Sequence, residues 1–494
     1  MKKLLLFIFF FFFLCIKGFS ETFYFNNSGA LTDLSSWDNN FTSTGTIPLN
    51  FTGSDTFVIA SSTDSVVVSL STAWTLGANT IVQIGSSNSF THKFTQLTIT
   101  STGSIVNATV NIDAGKGDFI YNTLTIQSNT IPKLGTLSTT LNRQSSVNFA
   151  GDNNLSVPVN NYGDLIISGT RIASRTITFP SGTIGVSRNF TITTLGTGLT
   201  YSIHPDNIVN LNGSSNQSAI PTVFTYSNLT LSNQGSKNIA GVAIGANGIL
   251  SIQGNAYNIG APSYNVTSIL EFKNFTTSPR SHTVTGATGV ANIWSRETYG
   301  GGGSSPNFIR VASGAIINID DVITSSCRLF VPLEITGTGR VSVNNACRLD
   351  LFKDLTTTSG GELTGVAGSR IHISGIDASH DYGRINTAGY LCLDKDVGTA
   401  IFKENVNASD IYVWNPQDAT AGNGGTFSFN PLASITAGTL TMGQAAPGTP
   451  VTALPFPIPT TLPNTNGTLL LNNANLVAGI SHIHTITGNV TILD

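Results

Sequence analysis

Asn307-Phe308-Ile309-Arg310-Val311 returns as Cys327-Arg328-Leu329-Phe330-Val331, Cys347-Arg348-Leu349-Asp350-Leu351 and Ser369-Arg370-Ile371-His372-Ile373, then as Gly389-Tyr390-Leu391-Cys392-Leu393 and Ser409-Asp410-Ile411-Tyr412-Val413. The starts are spaced by 20, 20, 22, 20 and 20 residues. The third position is always Leu or Ile and the fifth Val, Leu or Ile, while the first is small or polar. Strand alternation sends positions one, three and five to one face and two and four to the other. A five-residue strand recurring at this interval predicts one coil of a parallel β-solenoid. A single coil cannot bury its apolar stripe, so coils stack and the aliphatic positions become continuous columns. The inner columns are Ile309, Leu329, Leu349, Ile371, Leu391, Ile411 and Val311, Val331, Leu351, Ile373, Leu393, Val413. The outward second column reads Phe308, Arg328, Arg348, Arg370, Tyr390, Asp410, and the fourth reads Arg310, Phe330, Asp350, His372, Cys392, Tyr412. A string of β-sandwich domains is the rival architecture, but it gives no reason for one pattern at near-constant spacing.

A longer unit precedes the ladder. Val147 to Gly151 is echoed by Val209 to Gly213, Tyr162 to Ser168 by Tyr226 to Ser232, and Gly185 to Ile192 by Gly245 to Ile252, at offsets of 62, 64 and 60 residues. Runs such as Phe94 to Ile99, Tyr121 to Ile126 and Arg175 to Phe179 alternate apolar and polar residues between Gly, Asn and Ser punctuation, as half-buried strands do. The expected class is therefore all-β, a parallel β-helix with coils of about 20 residues, in two sections at 21–299 and 307–445 joined by the Gly/Ser segment 300–306. A proline-rich excursion at 446–464 follows, because proline cannot donate to a ladder. A partial repeat fills 465–494. It stops straight after an apolar strand, so the expectation is either end-to-end contact with another molecule or a shortened version of a longer protein.

Composition narrows the function classes. Lys2 and Lys3, the apolar run Leu4 to Ile16 and small residues at Gly18 and Ser20 form a secretory signal peptide over 1–20. That places the mature chain outside the cell or at its outer surface, with no further apolar run long enough for a membrane helix. Only 10% of residues are charged, and the net charge of −3 has no basic block, so nucleic acid is not an expected partner. Removing Cys15 with the signal leaves Cys327, Cys347 and Cys392, too few to hold the fold together. Cys327 and Cys347 fall at the same inward position of adjacent coils, about 4.8 Å apart, within disulfide range; a bridge and two buried thiols both fit.

At this point the chain resembles a known group. Tyr24, Ser28-Gly29, Leu34, Trp37, Gly45, Pro48, Asp55 and Val58 are similar to the opening of many secreted repeat proteins of Bacteroidetes type, and the unit Val147 to Ile192 resembles their repeats. The resemblance covers about half the chain. It implies an adhesin-like surface protein and export by the type IX route, although no C-terminal sorting domain is read here.

Chemistry-bearing residues are sparse. Asp320-Asp321 resembles the paired acids of pectin-degrading β-helix hydrolases, with His380 as companion, but the Gly-His-Gly and Arg-Ile-Lys patterns are missing and turn aspartates explain the pair. His482 and His484, and Asp394 with Asp396, lack the further ligands of a metal site, and no cofactor motif is present. The most specific surface is the outward ladder. Arg328, Arg348 and Arg370 with Tyr390 and Tyr412 offer bidentate hydrogen bonds and stacking to acidic glycans, against the plainer reading of a solvated face partly balanced by Asp350. The expectation is a non-enzymatic, adhesin-like rod contacting glycans or cell-surface proteins; the alternative is a carbohydrate-active β-helix enzyme.

Overall fold

A computed structural model describes residues 20–493 apart from 41–43, 61–64, 86–93, 114–121, 140–144, 173, 195, 219, 261, 274–280, 285–304, 320–326, 376–378, 396–397, 414–425, 430–433, 443–467, 473–476 and 479–489. The protein is all-β. Parallel strands stack as β-solenoid coils of roughly 23 residues, somewhat longer than the ladder spacing suggests. Among the described residues the one helical element is a 3-10 turn at Leu34–Ser36. No helix among them is long and apolar enough to cross a membrane. The chain separates into two compact units, Met1–Phe224 and Thr225–Asp494.

In the first unit one sheet runs, in spatial order, through Phe190–Ile192, Asp164–Ile167, Ser145–Phe149, Asn122–Ile126, Thr95–Ile99 and Val66–Leu70. Its register aligns Leu97, Leu124, Val147, Leu165 and Phe190 in one column. A second column holds Ile99, Ile126, Phe149 and Ile167, and every residue of both is buried. The column members are 27, 23, 18 and 25 residues apart, so coil length varies in the turns while the strands keep step. Burying each such side chain contributes about 1.5–3 kcal/mol, and no single coil could collect that alone. A second sheet ends where Thr22–Phe25 meets Trp37–Asp38 antiparallel. There the buried Trp37 stacks on Trp74 at 5.4 Å and donates its indole N–H to the Leu31 carbonyl at 2.9 Å.

In the second unit the sheet through Ile269–Lys273, Phe308–Val311, Leu333–Thr336, Leu355–Thr358 and His380–Tyr382 forms one face. The strands Cys327–Leu329, Arg348–Leu351 and Arg370–Gly375 form another. They join the long strand Ile385–Lys395, whose first part, Ile385–Thr387, pairs with Leu363–Gly365 and whose second part, Tyr390–Lys395, pairs with Arg370–Gly375. The register shifts between Thr387 and Tyr390, where that strand passes from one face to the next.

This arrangement corrects the ladder in two places. Ile309 lies opposite Leu333, not Leu329, so the first segment belongs to a different face of the coil. Alternation has period two on every face, and it cannot say which face a strand occupies. Cys327 lies opposite Leu349 and Arg328 opposite Asp350, two residues out of the expected register. A slip of one residue would turn the apolar set outward, whereas a slip of two leaves Cys327 and Leu329 facing the core, so the apolar pattern does not resist it. From Arg348 onward the expected columns hold: Leu349, Ile371, Leu391 and Ile411 align, as do Leu351, Ile373, Leu393 and Val413.

The turns entering these strands use the left-handed region. Ala346 has φ 61° ahead of the Arg348 strand, and Gly368 has φ 81° ahead of the Arg370 strand. A Cβ on Gly368 would also stand 2.3 Å from Asn345 Oδ1.

Candidate functional site: the outward ladder face

Arg348, Arg370, Tyr390 and Asp410 follow one another on neighbouring strands of one outward column, as the sequence pattern predicts. Each is half-buried. Two guanidinium-bearing strands about 4.8 Å apart bring two forked donors to one patch of surface.

The second outward column is different from its expected form. It runs Arg328, Asp350, His372, Cys392, Tyr412. Asp350 is 1% exposed and His372 and Cys392 are 0% exposed, so the expected solvated strip is closed over. The side chain of Tyr412 lies outside the described residues. Asp350 accepts a hydrogen bond from Arg348 Nε at 2.5 Å and pairs with Arg328 Nε at 3.5 Å. A buried carboxylate that holds two guanidinium groups fixes the direction of both forks, and with it the face they present.

The register slip creates a contact that the sequence pattern hides. With Arg328 over Asp350, Phe330 comes over Phe352, and their rings stack with centroids 4.3 Å apart. Phe330 remains 37% exposed beside the arginines. The signal was present as a Phe following each short strand, but the expected register kept the two rings out of line.

Of the two alternatives open for Cys327 and Cys347, the structure has buried thiols and not a bridge. Among the described residues Cys327, Cys347 and Cys392 are buried, and none is in a disulfide. The slip explains this: partners displaced by two residues along the strand and one strand across stand beyond the reach of a disulfide.

The remaining candidates divide. Arg310 leaves the ladder for the Phe308–Val311 face, where Ser251, Glu271, Arg310 and Glu334 align. Glu271 is buried and receives Ser251 Oγ at 3.1 Å, Lys273 Nζ at 3.2 Å and Arg310 at 3.6 Å, while Arg310 Nε reaches Glu334 at 2.7 Å. His380 Nδ1 stands 3.0 Å from Asp354 on that same sheet. Asp320, Asp321, Asp396, His482 and His484 lie outside the described residues, as do Gly300 to Gly303 and the proline-rich segment, and so does the side chain of Asp394. Among the described residues no group of three His, Cys, Asp or Glu side chains is spaced to hold a metal ion.

Burial also displaces several proton affinities. Lys237 is fully buried, its Nζ donating to the Gln234 carbonyl at 3.0 Å, and burial lowers its pKa to about 8. Burial raises the hydroxyl pKa of Tyr162, Tyr226 and Tyr264.

No family model matches the chain, and no curated protein and no solved structure matches it.

Proposed function

We propose that the chain is an exported, surface-displayed β-solenoid that acts as an adhesin-like scaffold and binds acidic glycans on its outward ladder face. The observation that carries this reading is the column Arg348, Arg370, Tyr390 beside Arg328 and the exposed Phe330. Guanidinium groups on adjacent strands present two forked donors side by side, and a planar carboxylate matches the guanidinium fork. Tyr390 and Phe330 supply the apolar surface on which a sugar ring can lie. Rigid strands hold these groups in place, so the ligand does not bear the entropy of ordering them.

The test is a glycan array probed with the full chain and with the triple variant Arg328→Ala, Arg348→Ala, Arg370→Ala. Binding to uronate-bearing or sulfated glycans that the variant loses at least tenfold supports the reading. Because Arg348 and Arg328 also hold Asp350, Arg370→Ala with Tyr390→Ala is the second variant, and a fivefold loss is expected there. Binding that neither variant changes, or no binding to any acidic glycan, would overturn it.

A further inference from the structure

One sheet of the first unit ends on an open edge. Its last strand in spatial order is Val66–Leu70, which pairs with Thr95–Ile99 in unbroken register and, among the described residues, with no strand on its other side. The preceding coil turns back instead, where Thr22–Phe25 meets Trp37–Asp38 antiparallel in another sheet. Two bonds fix the phase of the edge. Val66 N–H donates to the Phe94 carbonyl at 2.9 Å, and Thr100 N–H donates to the Leu70 carbonyl at 3.0 Å. The N–H and C=O of one strand residue point to the same side, and successive residues point to opposite sides. Val66, Val68 and Leu70 therefore bond to the neighbouring strand, while Ser65, Val67 and Ser69 turn their backbone donors and acceptors to the open side.

The strand carries none of the devices that keep natural edges apart, which are charges, proline and bulges. No Lys, Arg, Asp or Glu falls between Ser65 and Thr91, and Val67 is 65% exposed. Val68 heads the column of Leu97, Leu124, Val147, Leu165 and Phe190, and it is half-buried where every residue below it is buried. A row of open backbone groups beside an uncovered core position is what an added strand satisfies.

The order of residues on the edge says which strand. Ser65-Val66-Val67-Val68-Ser69 reads the same in both directions. A two-fold axis through Val67 pairs two copies antiparallel, with the same patch used by both. Ser65 then stands opposite Ser69 of the second copy, Val66 opposite its Val68, and Val67 opposite its Val67. Opposed residues of an antiparallel pair project to one face, so Val66 and Val68 of both copies face the core and the serines and Val67 face outward. Val67 exchanges both of its hydrogen bonds with Val67 of the second copy, and Ser65 does the same with Ser69. An unrelated strand could meet the same backbone groups, but only a second copy makes use of the palindrome.

We propose that the Val66–Leu70 edge is a homodimer interface, at which two copies of the chain pair antiparallel about Val67 and two six-stranded sheets become one. This does not depend on the glycan reading, whose residues all lie in the second unit.

The experiment is sedimentation velocity of the full chain over about a hundredfold range of concentration, with far-UV circular dichroism of every variant. The wild type is expected to move from one to two chain masses as concentration rises, and to go no further, because a two-fold contact closes. Val67→Pro removes a donor that the chain's own ladder does not use, so the coil is kept and dimerisation weakens about tenfold through two lost hydrogen bonds. Val67→Lys and Val67→Glu each place like charges directly opposite one another and are expected to be monomeric, whereas an equimolar mixture of the two is expected to dimerise again. If Val67→Pro does not fold, the Lys and Glu variants decide. A wild type that is monomeric at every concentration, assembly beyond two chains, a dimer that Val67→Lys leaves unchanged, or a mixture that stays monomeric would overturn the proposal.

Discussion

In the strip Ser251, Glu271, Arg310, Glu334 the sign of charge alternates from coil to coil, whereas in Arg348, Arg370, Tyr390 it does not. Both strips are built the same way, on outward positions of parallel strands in the second unit. In the first, each charge is neutralised by the next coil, and Arg310 is shared between two carboxylates. Such a strip is complete in itself and contributes to the stacking of coils. In the second, the neutralising carboxylate, Asp350, lies in the neighbouring column and beneath the surface, and the two like charges face outward together. The difference separates a strip in which charges alternate along the column from one in which two cations follow one another and the balancing carboxylate lies to the side.

The comparison breaks first at Asp350. Its removal leaves Arg328 and Arg348 without the carboxylate they share in a closed-over setting. Both arginines are more than a third exposed and can be solvated once the carboxylate is gone, so the loss is that of hydrogen bonds to a charged group, about 1.5–3 kcal/mol. Asp350→Ala is therefore expected to lower the stability of the second unit by that amount in denaturant titration followed by tryptophan-independent far-UV circular dichroism. A loss below about 1 kcal/mol would mean that Asp350 is solvated like a surface carboxylate, and the two strips would then be equivalent.

Lys237 sharpens the contrast from the other side, as a buried cation whose described bond is to a neutral carbonyl. Its folded pKa is depressed to about 8 from an ordinary value of 10.5. Between these values the unfolded chain binds the extra proton, so stability rises with pH across this window. Below pH 8 the folded state carries the full cost, on the order of 3 kcal/mol. Denaturant midpoints measured from pH 7 to 10 should climb for the wild type and stay level for Lys237→Met, which should be the more stable of the two at pH 7. A level wild-type profile would show that the amine keeps its charge at no cost. Above pH 10 the buried tyrosines act in the opposite direction, since their raised pKa values let the unfolded chain lose protons first.

How much of this was legible in the sequence follows from what each pattern encodes. Alternation of Ile, Leu and Val with polar residues encodes strands and an inward face, and both are found, from Leu97 through Phe190 in the first unit and from Leu349 through Ile411 in the second. The near-constant spacing encodes stacking, and the columns from Arg348 to Asp410 stand where it places them. It does not encode which face of the coil a strand occupies, so the spacing places the Phe308 strand in the ladder while the structure pairs it with Leu333–Thr336. Nor does alternation resist a slip of two residues, so the pattern places Arg328 above Arg348 where the structure places it above Asp350. Burial of Asp350, His372 and Cys392 was illegible for a related reason: alternation separates inside from outside, and says nothing about what closes over the outside. The stacked phenylalanines and the closed outward column both depend on these invisible facts.

The smallest effect tests the complete strip. Glu334 and Arg310 are each about a quarter exposed, and exposed pairs contribute about 1 kcal/mol or less. Arg310 keeps Glu271 as a partner when Glu334 is neutralised, so Glu334→Gln is expected to change stability by less than about 1 kcal/mol and to leave glycan binding unchanged. The loss should shrink further at 1 M salt, where the screening length falls to about 3 Å. A loss comparable to that of Asp350→Ala would mean that the alternating strip stores as much energy as the closed column. Charge alternation would then no longer distinguish the two strips, and the proposal of glycan binding would have to stand on the aromatic rings alone.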